Sequence, residues 1–97
     1  MKAYVIGRMN IRSKEWMDKY YATVPSLIES HCGRLIVRGG NPEQLEGSEA
    51  LPDAAVLLEF PSRDHAMSFW NSEEFQPFVQ LRQSGSSLQA MVVDALE

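Results

Sequence analysis

The stretch Asp53-Ala54-Ala55-Val56-Leu57-Leu58-Glu59-Phe60-Pro61-Ser62 decides the fold of this 97-residue chain. From Ala55 to Phe60 every residue except Glu59 is apolar, which predicts a strand that is buried on both of its faces. Pro61 ends this strand, and Ser62 is typical of the residue that caps a helix at its N-terminus. The helices of so short a chain can cover only one face of the strand. We therefore expect a second copy of the chain to cover the other face.

The rest of the chain predicts three further strands and two helical segments. We expect strands over Lys2–Met9, Arg34–Arg38 and Leu88–Leu96. A helix with one apolar stripe should begin at a cap on Ser13 and end at Gly33 in a left-handed conformation.

The second helical segment follows the Ser62 cap and is predicted in two pieces. The first piece runs to about Trp70. A fresh cap at Ser72, followed by two acidic residues, and Pro77 predict a short last piece.

The order strand, helix, strand, strand, helix, strand predicts one α+β domain over residues 1–97 with the ferredoxin-like βαββαβ fold. In that fold an antiparallel four-stranded sheet carries both helical segments on one face. Right-handed crossovers place the first and third strands at the centre of the sheet.

Composition excludes several classes of function. Nine basic and thirteen acidic residues give a net charge of −4, which argues against binding to nucleic acid or to an anionic membrane surface. No apolar run approaches the roughly 20 residues that span a membrane. The single Cys32 and the lack of a cleavable apolar N-terminal segment lead us to expect a cytoplasmic protein. The two histidines have no acid-rich spacing beside them, so we expect no metal site.

Charged residues in apolar strands give the first candidate site. If the second and third strands pair, Glu59 faces Arg34 or Arg38 on the side of the sheet away from the helices, and we take Arg38 and Glu59 as one unit. Such a pair can bind a carboxylate or enolate ligand. The alternative, which we favour, is a structural ion pair that sets the register of a dimer.

The break in the second helical segment gives the second candidate site. Trp70, Asn71, Ser72 and Arg82 are predicted to line a pocket between the sheet and the helices, with Trp70 as a wall and the other three near the rim. The alternative is that Trp70 belongs to the core and Ser72 only caps a helix. The adjacent Tyr20–Tyr21 pair should place at most one ring towards the core.

Several blocks of the chain resemble the domain of unknown function 1330 family. They are Tyr4-Val5-Ile6, Gly33-Arg34-Leu35-Ile36-Val37-Arg38-Gly39-Gly40, Leu45-Glu46-Gly47, Leu58-Glu59-Phe60-Pro61-Ser62, Phe69-Trp70-Asn71-Ser72 and Phe75-Gln76-Pro77 with Leu81-Arg82. The resemblance implies membership of the dimeric α/β-barrel group, in which two ferredoxin-like sheets pack face to face and a ligand pocket commonly lies between sheet and helices. It implies no established reaction. Cys32 departs from the family pattern, which often has Gly at that position.

These observations predict a small cytoplasmic homodimer that binds a small organic acid or aromatic ligand without a cofactor. They leave open that the protein also transforms this ligand. Two alternatives stay open. One is a cofactor-free monooxygenase-like enzyme, which rests on analogy of fold alone. The other is a non-catalytic binding or regulatory module.

Overall fold

The computed structural model describes residues 1–96 and confirms the predicted ferredoxin-like fold. Its elements are β1 (Ala3–Ile11), α1 (Met17–Ser30), β2 (Arg34–Gly39), β3 (Ala54–Phe60), α2 (Arg63–Trp70), α3 (Gln76–Gln83) and β4 (Ser86–Asp94). The four strands form one antiparallel sheet in the order β2-β3-β1-β4, so the first and third strands lie at the centre as predicted. β4 begins and ends two residues before the range expected from the sequence.

The hydrophobic core lies between one face of the sheet and the helices. Alternate residues of the central strands point into it, including Val5 and Met9 of β1 and Leu58 and Phe60 of β3. Helix α1 contributes one apolar stripe to the same core, formed by Tyr20, Val24 and Ile28. The second helical segment contributes the aromatic residues Phe69 and Phe75. The spacing of apolar residues in the sequence thus corresponds to the buried faces of these elements.

The opposite face of the sheet, which we call the open face, carries none of the helices of residues 1–96. An apolar row crosses all four strands there, because Val37 pairs with Leu57, Leu57 with Ile6, and Ile6 with Met91. In the single chain Ile6 is 37% exposed and Met91 is 60% exposed. A row of this kind gains free energy when a second apolar layer covers it.

A β-bulge interrupts β2. Leu35 pairs with Leu58, but the next pair is Val37 with Leu57, which leaves Ile36 as the extra residue. A bulge of one residue reverses the alternation of side chains in the part of the strand that follows it.

The bulge moves Arg38 to the other face of the sheet. Strict alternation would place Arg34, Ile36 and Arg38 on the same face. Arg38 instead pairs with Val56 on the helix-covered face, whereas Arg34 pairs with Glu59 on the open face. The expectation that Arg38 and Glu59 form a unit is therefore wrong.

The ends of α1 differ from the sequence expectation. Trp16 occupies the N-cap position without a side-chain cap, while the hydroxyl of Ser13 accepts a hydrogen bond from the Glu15 amide at 3.3 Å. At the other end the left-handed residue is Cys32, with φ of 68°, and not Gly33. The expected caps at Ser13 and Gly33 are therefore both wrong.

Gly33 is needed for packing. The Cys32 and Gly33 amides donate to the carbonyls of Glu29 and Ile28, both at 2.9 Å, which closes the helix in a Schellman motif around a left-handed Cys32. A Cβ on Gly33 would lie 2.4 Å from the Phe60 ring. The glycine therefore allows the chain to pass close to a buried aromatic side chain.

In the second helical segment, the cap predicted at Ser62 is present and the cap predicted at Ser72 is not. The Ser62 hydroxyl accepts a hydrogen bond from the His65 amide at 3.2 Å, which confirms that cap. The Ser72 hydroxyl instead donates backwards to the Phe69 carbonyl at 2.8 Å, so the predicted fresh cap is wrong. Pro77 lies in the first turn of α3 as expected.

The two residues at the end of α1 give a matched pair of stability tests. We expect Cys32→Gly to raise the free energy of unfolding by about 0.5–1 kcal/mol. The substitution removes the strain of a left-handed residue with a Cβ, but glycine also increases the conformational entropy of the unfolded chain, which offsets part of the gain in stability. We expect Gly33→Ala to lower it by about 1–3 kcal/mol through overlap with Phe60. Urea unfolding of both variants measures the changes, and a destabilised Cys32→Gly or a neutral Gly33→Ala would contradict this account.

Candidate functional site

An interior cavity lies between the sheet and the helices, where the sequence predicts a pocket. We call it the Arg82 cavity. Its free volume is about 30 Å³, which is room for roughly two water molecules. Residues from the sheet and from all three helices form its wall, among them Val24, Ile28, Leu58, Phe69, Trp70 and Arg82.

The structure brings together two of the four residues predicted at the helix break. Trp70 and Arg82 both line the cavity, whereas Asn71 is exposed and neither Asn71 nor Ser72 belongs to the wall. Whether Trp70 and Arg82 contact a ligand stays a prediction. Asn71 and Ser72 instead form hydrogen bonds that close the C-terminus of α2. The backbone N–H of Asn71 donates to the Met67 carbonyl at 3.0 Å, and the Ser72 hydroxyl donates to the Phe69 carbonyl.

The joint between α2 and α3 is filled by aromatic side chains. The Phe75 ring lies 4.3 Å from the Phe69 ring and 5.4 Å from the Trp70 ring, measured between centroids. Phe75 is only 1% exposed. Phe69, Trp70 and Phe75 also line the cavity, together with residues of the sheet, so the space that the sequence predicts at the helix break lies beside these rings.

Arg82 is a buried cation without an anionic partner. Its residue is 3% exposed, and no acidic side chain within residues 1–96 forms a salt bridge with it. Its Nε is one of two buried side-chain atoms without a hydrogen-bond partner in the described chain, the other being Nε1 of Trp16, which lies outside the cavity wall. Buried charges in proteins are normally paired, so this arrangement indicates a place where an anion is expected.

Two tyrosines of α1 lie beside Arg82. Burial raises the pKa of Tyr20 to about 12, although the Arg82 charge opposes the rise. Burial also raises the pKa of Tyr21, against the opposing charges of Arg38 and Arg82. Both phenols therefore keep their protons at neutral pH and can act only as neutral groups. Of the two, only Tyr20 belongs to the buried core as expected, whereas Tyr21 is half-buried, although both side chains line the cavity.

Arg38 lies on the same side of the sheet as the cavity. Its guanidinium carbon is 4.3 Å from the centroid of the Tyr21 ring, which is a cation–π contact. Arg82 lies over the neighbouring Tyr20 ring at 6.0 Å. The two arginines therefore flank the tyrosine pair, an arrangement that the sequence does not reveal because it depends on the bulge in β2.

Glu59 is held in a polar cluster on the open face. Its carboxylate accepts hydrogen bonds from the Tyr4 hydroxyl at 2.8 Å and from the Arg34 Nε at 2.9 Å, and the Lys2 Nζ lies 3.7 Å away. The hydrogen bond from Tyr4, followed by that from Arg34, lowers the pKa of Glu59. These contacts favour the structural interpretation of Glu59, with Arg34 as the partner.

The Glu59 cluster predicts a pH-dependent contribution to stability. Because the pKa of Glu59 in the folded chain lies below its ordinary value of 4.5, the stabilisation is present above that value and is lost as the pH falls through the lowered pKa. We expect Glu59→Gln to reduce the free energy of unfolding at neutral pH, with the difference from the parent protein shrinking below about pH 4.

Urea unfolding across this pH range measures the effect. Glu29→Gln is a suitable control, because Glu29 is an exposed carboxylate without a side-chain partner in the described chain. A constant difference at all pH values, or an equal effect of the control, would show that the ionised Glu59 does not stabilise the fold.

Residues 1–96 contain neither a cluster of metal ligands nor a membrane-spanning helix. No group of three histidine, cysteine, aspartate or glutamate residues is arranged to hold a metal ion. None of the described helices is both long enough and apolar enough to cross a bilayer.

Comparison with known proteins identifies a family and a fold. Residues 2–96 match the family described as Domain of unknown function (DUF1330). None of the curated proteins matches the sequence.

Among solved structures, RPA0582 of Rhodopseudomonas palustris, a protein of unknown function, is similar with a TM-score of 0.80 and 15% identity over 99% of this chain and 83% of that one. SnoaB, a cofactor-independent oxygenase from Streptomyces nogalater, has a TM-score of 0.66 and 10% identity over 99% and 94%. A dimeric protein of unknown function with a ferredoxin-like fold from Bacteroides fragilis has a TM-score of 0.55 and 11% identity over 97% and 96%. At these identities the likeness shows the fold alone.

Proposed function

This chain belongs to the family described as Domain of unknown function (DUF1330), and on the geometry of its interior we propose that it is a homodimer that binds a small organic acid at Arg82. The single observation that carries the proposal is the buried Arg82 guanidinium, which has no anionic partner among residues 1–96. The proposal requires no metal and no cofactor.

An anionic ligand would compensate a charge that the protein leaves uncompensated. Moving an ion from water into an apolar interior costs several kcal/mol, even after relaxation. A carboxylate can accept two parallel hydrogen bonds from one guanidinium, and few side-chain pairs bind as strongly. The surrounding wall is apolar and aromatic, which strengthens such a pair.

Replacement of Arg82 by methionine tests the proposal through two opposite effects. Without ligand, we expect Arg82→Met to raise the free energy of unfolding by about 1–2 kcal/mol, because an apolar side chain of similar length replaces an unpaired buried charge. With 4-phenylbutyrate as the probe, we expect binding to weaken by about 1.5–3 kcal/mol. Thermal unfolding with increasing 4-phenylbutyrate measures both quantities, since a ligand that binds the folded state stabilises it by mass action.

Arg63→Met is the control, because Arg63 pairs with Asp94 at the surface at 3.1 Å, with about half of each side chain exposed. It should leave the response to 4-phenylbutyrate unchanged. If Arg82→Met destabilises the protein and 4-phenylbutyrate stabilises the variant and the parent protein equally, Arg82 is a structural residue and the proposed site is wrong.

The open face supports the proposed homodimer. The apolar row of Val37, Leu57, Ile6 and Met91 is the natural contact for a second copy, since face-to-face packing of two sheets would bury it in both chains. The dimeric ferredoxin-like protein of Bacteroides fragilis supports this proposal at the level of fold.

A lysine in the apolar row tests the dimer. We expect Leu57→Lys to weaken association by several kcal/mol, because the new charge would be buried between two sheets. Ser68→Lys adds the same charge to an exposed position of α2 and should leave association unchanged. Sedimentation equilibrium measures both, and a folded monomer of the parent protein at micromolar concentration would contradict the proposal.

A cofactor-free oxygenase is the second candidate, supported by the likeness to SnoaB. The described wall of the Arg82 cavity contains no carboxylate and no imidazole that could remove a proton from a substrate, and both of its phenols are neutral. This geometry favours binding over oxygenation. Oxygen consumption with an aromatic acid that binds, abolished by Arg82→Met, would reverse that preference.

A further inference from the structure

A second and larger space adjoins the Arg82 cavity. We call it the α1 groove, because it runs between the first half of α1 and the neighbouring ends of the strands. Its volume is about 560 Å³, which is within the range of small-molecule sites. The groove is lined by apolar and by charged side chains. The apolar ones are Met9, Ile11, Met17, Ala54 and Val56, and the charged ones are Lys14, Asp18, Arg38 and Asp53.

The groove and the cavity share part of their walls. Met9, Tyr21 and Val56 line both spaces. Met9 and Val56 belong to the central strands β1 and β3, so they are fixed by the sheet. Tyr21 is the shared residue that comes from a helix and whose ring is half-buried. The Tyr21 side chain is therefore the movable part of the partition between groove and cavity.

The sizes of the two spaces suit different parts of one molecule. About 30 Å³ at Arg82 is enough for a carboxylate group but not for the body of an organic acid. The groove can hold such a body against apolar side chains. A ligand whose carboxylate reaches Arg82 from the groove must pass Tyr21.

We infer that the site takes an elongated monocarboxylic acid, with its carboxylate on Arg82, its apolar body in the α1 groove, and the Tyr21 ring as a gate between them. This inference rests on the proposed function and specifies the shape of its ligand. It adds a position for the ligand's body and a role for two residues, Tyr21 and Arg38, that no other observation assigns.

The contacts of Tyr21 fit a gate. Its ring packs edge-on to Tyr20 at 5.0 Å between centroids, lies 6.0 Å from the Trp16 ring, and faces the Arg38 guanidinium carbon at 4.3 Å. These contacts hold the ring in place but are individually weak, so a side-chain rotation can exchange them for contacts with a ligand. When the ring moves, Arg38 remains at the groove, where its planar guanidinium can stack on the ligand's body.

A series of acids of increasing length tests the shape of the ligand. The probes are acetate, phenylacetate, 3-phenylpropionate and 4-phenylbutyrate, titrated by calorimetry into the full chain. We expect the affinity to increase from phenylacetate onwards by about three- to fourfold for each added methylene that the groove buries. Equal affinity for all three phenyl acids would place the ligand elsewhere and overturn the inference.

Variants of Tyr21 test the gate. In stopped-flow binding of 4-phenylbutyrate, we expect Tyr21→Leu to raise the association rate constant by about three- to tenfold, the effect of removing contacts worth about 0.7–1.4 kcal/mol. Tyr21→Phe keeps the ring and should leave the rate constant within about twofold. Arg38→Met should give an intermediate increase, because it removes only one of the contacts that hold the ring.

The outcomes separate this inference from the proposed function. If the acids bind the parent protein and Arg82→Met equally, or bind neither, both the proposed function and the gate are wrong. If they bind through Arg82 and Tyr21→Leu has the association rate constant of the parent, only the gate is wrong. Circular dichroism of each variant confirms that the fold is retained, and Arg38→Met supplies the same test should Tyr21→Leu fail to fold.

Discussion

Three helices cover one face of a four-stranded sheet, and within residues 1–96 no helix covers the other face, where the connection before β3 reaches only the Arg8 end. This one-sided packing is the constraint from which the two distinctive regions of the molecule follow. On the covered side, the helices enclose an apolar interior that holds the buried charge of Arg82. On the open side, an apolar row across all four strands remains available to a second layer.

The interior of the protein combines a stabilising feature with an unfavourable one. Burial of the aromatic cluster around Phe60, Phe69 and Phe75 supplies free energy of folding in proportion to the apolar area removed from water. An unpaired guanidinium in the same interior opposes folding. The proposed anionic ligand would supply the partner that residues 1–96 do not provide for Arg82.

The sequence predicts the fold well because the fold depends on patterns that are local in the chain. The apolar run of β3, the helical stripe of α1 and the Ser62 cap each indicate their own element, and the order of elements then restricts the topology. Ser13 and Ser72 were expected to cap helices, but each side chain satisfies a nearby backbone group outside that role. The left-handed conformation expected of Gly33 is adopted by Cys32 instead. Gly33 is required for a different reason, because a Cβ at that position would overlap the Phe60 ring.

The candidate site is predicted only in part, because it depends on contacts between distant elements. The helix break correctly indicates that Trp70 and Arg82 lie beside the interior, but the sequence does not show that Arg82 has no acidic partner among the described residues. The bulge at Ile36 has no signature in the order of apolar and polar residues, yet it separates Arg38 from Glu59 and brings Arg38 to Tyr21. An extra residue in one strand thus changes which charges share a site.

The central claim, that Arg82 receives a carboxylate, can be measured at the Nε atom itself. In nitrogen-15-labelled protein, the Arg82 Nε–H correlation is assigned by its loss in Arg82→Met, and 4-phenylbutyrate is then titrated. The account predicts that this resonance shifts downfield in proton frequency and exchanges more slowly with water, as an unpaired donor gains an anionic acceptor. An Arg82 resonance that stays unchanged while the acid saturates another part of the protein would contradict the account.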